Sequence, residues 1–447
     1  MNGEIARRRA HRRGASVLLA AVTATPLLSR AANTDSFIGT SGQDWNTASH
    51  WNTSLVPTVG DTVNITQSPT SLFSVTFDGS YTSLTAISSL TLDGSSTVGV
   101  VLNQGTAADN LFAGNETIGN TGIATFNQTA ATNSFAGSIY LGYSSGSQGT
   151  YLLGSGASLV NTANDNVYVG FTGLGTFKQT GGSASFFSLF LAGSSSAGGL
   201  YSLSPGGTLT VSSLEYVGYG GAGTFTQSGG THTSSSWLYM GYFSGSGGAY
   251  VLSGGTLAAY QESVGYQGVG TFAQSGGTHS ITNFLTVGDQ PIIGSQTAGV
   301  GIYTLSAGLL SAPSENVAYS GTGTFVQTGG TNSTSNLVVA SQTSSVGSYS
   351  LSGTGVLNAN SGLEIVGDQA VGHFNQSGGS NNLGASGRLW LAAMTGSQGV
   401  YNLSGGSLSG QAATVGGGSV AGGTGTLNVS GTGSLTLTGE LAVFNNG

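Results

Sequence analysis

Residues 223–242 read GTFTQSGGTHTSSSWLYMGY, and the same pattern returns at residues 270–288 as GTFAQSGGTHSITNFLTVG. Between them, residues 248–266 read GAYVLSGGTLAAYQESVGY, which keeps the spacing but replaces Phe by Tyr and Gln by Leu. The chain therefore alternates two related units, which we call Phe coils and Tyr coils. A repeat of this kind predicts a repeat architecture rather than a set of separate domains.

The repeat covers most of the chain, and Leu427 begins one further unit after the last Tyr coil. Phe126 and Leu427 are twelve steps apart, which gives a mean step of about 25 residues. The Phe coils are centred on Phe126, Phe177, Phe225, Phe272, Phe325 and Phe374, and the Tyr coils on Tyr151, Tyr201, Tyr250, Tyr303, Tyr349 and Tyr401.

A step of this length predicts one turn of a three-sided solenoid, with three short strands in each turn. The strands are F-x-Q or Y-x-L, then the segment after S-G-G, then an L-x-V-G-Y type segment. Glycine pairs such as Gly229-Gly230 and Gly254-Gly255 fit corners that need positive φ. A left-handed β-helix would show a six-residue period, and a propeller blade of about 40–50 residues would not divide into two similar halves. Neither fold therefore fits this repeat. The predicted fold is all-β, a right-handed parallel β-helix.

Strand alternation predicts which side chains point inward. We expect each Phe or Tyr ring, with the residue two positions later, to face the interior. That second residue is a glutamine in the Phe coils and a leucine in the Tyr coils. The six glutamines are Gln128, Gln179, Gln227, Gln274, Gln327 and Gln376.

The third strand of the Tyr coils carries the regular charged feature of the chain, a series of glutamates, with Val167 as an exception. Carboxylates two coils apart, about 10 Å, cannot share one calcium ion. Each carboxylate could instead join backbone carbonyls at a corner, so four of the glutamates are weak metal candidates. The simpler interpretation is that each accepts hydrogen bonds from turn amides or faces water. The series is Glu116, Glu215, Glu262, Glu315 and Glu364, and the weak metal candidates are the last four.

His232 and His279 occupy equivalent places, where other Phe coils have Asn332 or Asn381. Their separation of two coils excludes a shared zinc ion, so we interpret them as hydrogen-bonding residues of turns. Neither catalytic residues nor a cofactor are predicted. The sequence contains no H-E-x-x-H motif and no phosphate-binding loop.

Outward aromatic residues on the third strand form the candidate ligand-binding face. Stacked rings could hold sugar faces or another protein, or they could cover a solenoid face or a dimer contact. These residues are Tyr140, Tyr168, Phe190, Tyr216, Tyr239 and Trp390.

The N-terminus has the order of a secretory signal peptide: an arginine cluster over residues 7–13, an apolar run from Ala15 to Leu28, and small residues around Ala31. We expect residues 1–31 to be the signal peptide, 32–109 an N-terminal capping segment with the first coils, and 110–447 the repeat solenoid. Residues 32–447 then contain two basic residues, Lys178 and Arg388, against 15 acidic residues, a net charge of −13. Nucleic-acid binding and attraction to anionic lipid are therefore not expected, nor is membrane insertion of the mature chain.

The units G-T-F-x-Q-S-G-G-T, L-x-L-G-Y and Y-x-L-S-G-G-x-L resemble the β-strand repeats of bacterial autotransporter-associated and PEP-CTERM-type surface proteins. The resemblance covers roughly residues 110–440. The segment with Trp45, Trp51, Pro57 and Gly60-Asp61 is similar to the entry segment of such proteins. The resemblance implies export and a structural or adhesive role at the cell surface, and it implies no catalytic residues.

The expected function is that of a secreted or cell-surface structural or adhesive solenoid, with surface glycans or other proteins as partners. A polysaccharide-binding or polysaccharide-cleaving β-helix protein is the alternative. The sequence ends directly after the strand-like segment Leu441 to Phe444. An open solenoid end exposes strand edges, so end-to-end self-association is a further expectation, as is a chain that continues beyond this piece.

Overall fold

A computed structural model describes residues 31–82, 84–289 and 298–445. Residues 1–30 lie outside this range, so the predicted signal peptide stays a prediction. Asn33–Gly447 make up one compact unit. Among the described residues, no helix is long and apolar enough to cross a membrane.

The described residues form one short 3-10 helix, Ala48–His50, and 37 strands. The first strands are β1 Thr34–Ser36, β2 Gln43–Asp44, β3 Thr62–Thr66, β4 Phe73–Phe77, β5 Ile87–Asp93, β6 Val100–Gln104, β7 Leu111–Ile118, β8 Ile123–Phe135, β9 Ile139–Leu141, β10 Gln148–Asn161, β11 Asn166–Val169 and β12 Leu174–Gln179. The middle strands are β13 Ser183–Phe186, β14 Ser188–Leu191, β15 Gly198–Leu203, β16 Thr208–Val211, β17 Glu215–Val217, β18 Ala222–Gln227, β19 Thr231–Met240, β20 Gly247–Leu252, β21 Thr256–Val264, β22 Val269–Gln274, β23 Thr278–Ile281 and β24 Phe284–Val287. The last strands are β25 Val300–Leu305, β26 Leu309–Val317, β27 Thr322–Gln327, β28 Thr331–Val339, β29 Val346–Leu351, β30 Val356–Val366, β31 Val371–Asn382, β32 Arg388–Leu391, β33 Gln398–Gly410, β34 Ala412–Val415, β35 Thr424–Val429, β36 Ser434–Leu437 and β37 Leu441–Val443.

These strands pair in parallel, each with the equivalent strand of the next turn. The first ladder aligns Phe126, Tyr151 and Phe177, whereas the third aligns Ile139, Val167 and Leu189. The predicted parallel β-helix is confirmed, with about 16 turns at a spacing of about 25 residues. Gly230 and Gly255 have φ values of 69° and 82°, as predicted for the corners.

A continuous stack of aromatic rings fills the interior beside the first ladder. From Phe126 to Tyr401 the twelve repeat rings lie with neighbouring centroids 4.4 to 5.0 Å apart. All twelve are buried, as the alternation predicted. Each stacked contact contributes about 0.5–1.5 kcal/mol beyond area burial, so the stack stabilises the turns cumulatively.

The N-terminal end is closed by a separate aromatic cluster. Trp45 and Trp51 are fully buried with centroids 4.8 Å apart, and Phe77 packs against Trp45 at 5.1 Å. Trp45 Nε1 donates to the Tyr81 hydroxyl at 2.8 Å, and that hydroxyl donates to Pro57 O at 2.8 Å. The entry segment therefore covers the first turn with hydrogen-bonded indoles.

The last described turn is less covered. Leu441 and Val443 of β37 are 49% and 62% exposed, and they line an open cavity of about 550 Å³ with Leu427 and Leu435. The expected end-to-end association stays a prediction.

Gly248 provides a direct test of how closely successive turns pack. A Cβ atom at Gly248 would lie 2.0 Å from Val217 O and 2.4 Å from Gly241 N, whereas one at Gly247 would have no atom within 4 Å. We expect Gly248→Ala to lower the free energy of unfolding by about 1–3 kcal/mol or more, because backbone must move. Gly247→Ala is the matched control in the same strand, with little expected change. Thermal unfolding measures both, and equal melting temperatures would contradict the close approach.

Candidate functional site

The tyrosine hydroxyls of the stack begin a polar network inside the solenoid. Each of the six Tyr-coil hydroxyls donates to the glutamine Oε1 of the preceding Phe coil at 2.6 to 2.7 Å. The glutamine Nε2 in turn donates to backbone carbonyls, as Gln227 does to Thr256 O at 2.9 Å. Because the amide nitrogen is occupied in this way, the orientation of each glutamine is fixed by its hydrogen bonds.

The glutamate series lies inside the solenoid, so the expectation of turn amides or water as its environment is wrong. Glu315 is 1% exposed, and its Oε2 accepts from Asn332 Nδ2 at 2.9 Å. Glu364 accepts in the same way from Asn381 at 2.8 Å. In each case the partner lies 17 residues later, on the second strand of the next turn. The amide offsets part of the cost of removing a carboxyl group from water.

The same amide also donates to a tyrosine of the aromatic stack. Asn133 Nδ2 lies 3.1 Å from Glu116 Oε2 and 3.0 Å from the Tyr151 hydroxyl, which itself donates to Gln128. Gln, Tyr, Asn and Glu therefore form one chain of contacts that links three consecutive turns.

In two Phe coils a histidine replaces the asparagine, and the hydrogen bonds determine which imidazole nitrogen carries a proton. The Tyr250 hydroxyl donates to Gln227 Oε1 at 2.6 Å, so its oxygen must accept from His232 Nδ1 at 2.9 Å. His232 Nε2 lies 3.0 Å from Glu215 Oε2, and one shared proton completes that contact. His279 Nδ1 makes the equivalent contact with the Tyr303 hydroxyl at 3.0 Å. Its Nε2 lies 2.9 Å from Glu262 Oε2, but the angles there are outside hydrogen-bonding geometry. Both imidazoles are fully buried rather than in turns.

Where Val167 replaces the glutamate, its Asn or His partner is replaced as well. The residue 17 positions later is Ala184, which is aligned with Leu159 and Leu209 in the neighbouring turns. Glutamate and its amide or imidazole partner are thus absent together. The constant spacing was visible in the sequence, but only the structure identified it as a contact.

Burial raises the pKa values of three of the five glutamates. It raises the pKa of Glu116 and Glu315 to about 8 and that of Glu364 to about 7, while the asparagine hydrogen bonds act in the opposite direction. A neutral, enclosed carboxyl group is a poor cation ligand. The four weak metal candidates are all enclosed, and in the part of the chain that the structure describes no three His, Cys, Asp or Glu residues cluster to hold a metal ion.

The raised pKa values predict the pH dependence of stability. An acid whose folded-state pKa rises from 4.5 to about 8 stabilises the fold fully below pH 4.5. That stabilisation is lost as the pH rises towards 8, on the order of 1 kcal/mol per pH unit. We expect the melting temperature to fall between pH 5 and pH 8, and Glu315→Gln to make the fall less steep. Exposed Glu440→Gln is the control. Equal slopes for Glu315→Gln and the unaltered chain would mean that Glu315 is charged when folded.

A double-mutant cycle tests the pairing across turns. Glu215→Val or His232→Ala alone leaves one buried polar partner unpaired, which costs about 3–5 kcal/mol. We expect the double variant, which copies the Val167 and Ala184 pair, to lose clearly less stability than the two single losses together. Glu215→Val combined with Asn381→Ala, a distant pair, should be additive. Melting temperatures measure both cycles, and additivity in the first would contradict the contact.

On the exterior, the structure stacks five of the six predicted face residues in successive turns. The centroids are 5.2 Å apart from Tyr140 to Tyr168, 4.8 Å from Tyr168 to Phe190, 4.8 Å from Phe190 to Tyr216, and 5.5 Å from Tyr216 to Tyr239. Trp390 occupies the same strand position six turns after Tyr239 and does not join this stack.

A second row of rings, at the corner that follows the third strand, was missed by the sequence reasoning. Tyr242 stacks on Tyr219 and Tyr266 at 5.4 and 5.0 Å, and its ring meets Tyr216 edge to face at 4.7 Å. Tyr216 is consequently only 6% exposed, so it supports the surface and offers little area of its own. We call the two rows together the aromatic strip: Tyr140, Tyr143, Tyr168, Phe171, Phe190, Tyr216, Tyr219, Tyr239, Tyr242 and Tyr266.

The aromatic strip ends at a groove of about 450 Å³. After Tyr239, the outward position of the third strand passes to Ser263, Thr286 and Asn316, whose smaller side chains lower the surface. The groove is lined by Trp237, Asn283, Phe284, Thr286, Asp289, Ser314, Asn316 and Tyr319.

Catalytic pairs between surface aspartates and the glutamate series would need both carboxyl groups at one surface. Asp289 lines the groove, but Glu315 lies inside and faces Asn332. Glu215 is likewise enclosed beside His232. The structure therefore separates these glutamates from the exterior.

Comparison of the chain with protein-family models, curated proteins and solved structures finds no match in any of the three.

Proposed function

We propose that this protein is an exported structural and adhesive solenoid of the cell surface or extracellular space, and that it acts by binding rather than by catalysis. The observation that carries the proposal is the aromatic strip. Ten rings lie side by side on one flank of a parallel ladder whose interior is closed by a second ring stack.

The strip is a preorganised surface. Edge-to-face contacts such as Tyr140 with Phe171 at 5.2 Å and Tyr216 with Tyr219 at 4.9 Å hold each ring against its neighbours. Rings held in this way lose little conformational entropy when a partner binds. Nine of the ten rings remain partly exposed, and partly exposed aromatic rows in a regular array favour a role in contact with another surface.

The chemistry of the groove supports binding over cleavage. Glycoside hydrolysis by the common mechanisms uses two carboxyl groups, about 5–10 Å apart. Among the described residues that line the groove, Asp289 supplies one carboxyl group. The glutamates of nearby turns are directed inward and held by Asn or His. A polysaccharide-binding role fits these residues better than a polysaccharide-cleaving one.

Export is supported by the N-terminal order of arginines, apolar residues and small residues over positions 1–31. The chain has no cysteine, so its folding does not depend on disulfide formation in the compartment that it reaches. The net charge of −13 after residue 31 favours partners that are not polyanions.

Surface display and adhesion can be tested together on bacteria that express the full chain. We expect protease added to intact cells to remove the protein, and we expect the cells to adhere to protein-coated or polysaccharide-coated plates. Tyr140→Ala with Tyr168→Ala should reduce adhesion severalfold, because it removes the start of the strip. Tyr260→Ala, an exposed tyrosine outside the strip, is the control. Protease resistance on intact cells, or undiminished adhesion of the strip variant, would contradict the proposal.

A further inference from the structure

We propose that the groove beside Trp237 is a binding site for a neutral oligosaccharide, which makes it the specific recognition site on an otherwise general adhesive surface. The inference rests on the proposed adhesive function and names the ligand class and the residues. It is carried by three properties of the groove: a held aromatic platform, hydrogen-bonding groups on adjacent turns, and the absence of positive charge.

The platform is Trp237. Its ring stacks on Tyr239 at 5.0 Å with an interplanar angle of 7°, and it meets Phe284 edge to face at 5.2 Å and 74°. These two contacts fix the indole in one orientation, while the side chain stays partly exposed at the groove wall. Sugar rings carry apolar C–H faces that pack on such surfaces, and a fixed ring binds them without further ordering cost.

The polar groups lie on neighbouring turns. Register pairs Phe284 with Ser314 and Thr286 with Asn316, so each pair lies on adjacent turns about 4.8 Å apart. Ser314 and Asn316 are partly exposed, whereas Thr286 is 3% exposed and lies at the floor of the groove. Asn283 Nδ2 donates to Gln261 Oε1 at 3.0 Å, which orients the Asn283 amide at the rim. Amides and hydroxyls that both donate and accept match the hydroxyl groups of a sugar, and their fixed spacing supplies orientation.

Charge selects among glycans. After residue 31 the chain has only Lys178 and Arg388 as basic residues. Arg388 is aligned with Ser314 three turns away, about 14 Å. Asp289 adds negative charge at the groove itself. The anionic group of a uronate or sulfated sugar would be repelled by the Asp289 carboxylate and would find no cation to pair with. A neutral sugar can stack on the indole and form hydrogen bonds without this repulsion.

The dimensions agree with this ligand class. A volume of about 450 Å³ falls within the range of small-ligand sites. Trp237 stacks on Tyr239, and Tyr239 meets Tyr266 at 5.1 Å, so a chain that is longer than the groove can extend from Trp237 over the adjoining aromatic strip.

The test measures binding of neutral hexasaccharides to the full chain by titration calorimetry. The panel contains the β-linked glucose, xylose, mannose and N-acetylglucosamine hexamers, with hexagalacturonate as the anionic counterpart. We expect at least one neutral hexamer to bind, and hexagalacturonate to bind at least about tenfold more weakly. Trp237→Ala should weaken the neutral hexamer about tenfold or more, and Asn316→Ala, which leaves the platform intact, should weaken it severalfold.

Trp390→Phe and Trp237→Phe make a matched pair for a fluorescence readout. Trp45 and Trp51 are buried at the N-terminal end, so ligand-induced fluorescence changes should persist in Trp390→Phe and be lost in Trp237→Phe. Melting temperatures of all variants establish that each is folded.

Failure of every neutral hexamer to bind, equal or tighter binding of hexagalacturonate, or binding that Trp237→Ala and Asn316→Ala both leave unchanged would each overturn the inference. If the groove variants leave whole-cell adhesion intact while the Tyr140 and Tyr168 variant abolishes it, the recognition site fails and the adhesive function stands. If whole-cell adhesion is absent from the start, the proposed function itself fails.

Discussion

Parallel strand pairing in strict register is the constraint on which the rest of this structure depends. Hydrogen bonding fixes neighbouring turns about 4.8 Å apart, close to the distance at which aromatic rings stack in parallel. Phe225, Tyr250 and Phe272 meet this condition with centroid separations of 4.6 and 4.9 Å. A turn that lost its register would lose both its ladder hydrogen bonds and its two stacked neighbours. Register and stacking therefore reinforce one another.

The alternation of Phe and Tyr follows from this stack. A tyrosine hydroxyl inside an apolar interior needs a hydrogen-bond partner. The repeat places one inward glutamine close to it, two positions after the phenylalanine on the neighbouring strand. The glutamine of the preceding turn, such as Gln327 for Tyr349, meets that need at 2.7 Å. The amide of Asn332 and the carboxyl of Glu315 then extend the same contact outward from the stack. The polar interior is thus a consequence of placing a hydroxyl on every second ring of the core. The two adjacent turns that carry Val167 and Ala184 lack the glutamate and its partner, so the network ends there after the Tyr201 hydroxyl.

The exterior uses the same regularity for a different purpose. Outward rings at equivalent positions must stack, because the ladder brings them together as surely as it does the inner ones. The strip persists while the outward residue stays aromatic and gives way to a groove where Ser263, Thr286 and Asn316 replace it. A change of side-chain size in a constant backbone therefore produces a recess with defined walls. The proposed recognition site is such a break in the repeat.

The sequence by itself determined the repeat length, the parallel solenoid and the inward direction of the rings, because all three follow from periodicities of about 25 and of 2 residues. It also located the first row of outward aromatics. It placed the glutamates and histidines wrongly at turns or in water, since an isolated carboxyl group is costly to bury and the compensating donor lies 17 residues away. Only the tertiary structure brought Glu215 to His232, covered Tyr216 with Tyr242, and assembled Trp237, Phe284 and Asn316 into one groove. Those contacts join residues of different turns, and their distances depend on how each corner directs the chain, which local patterns do not specify.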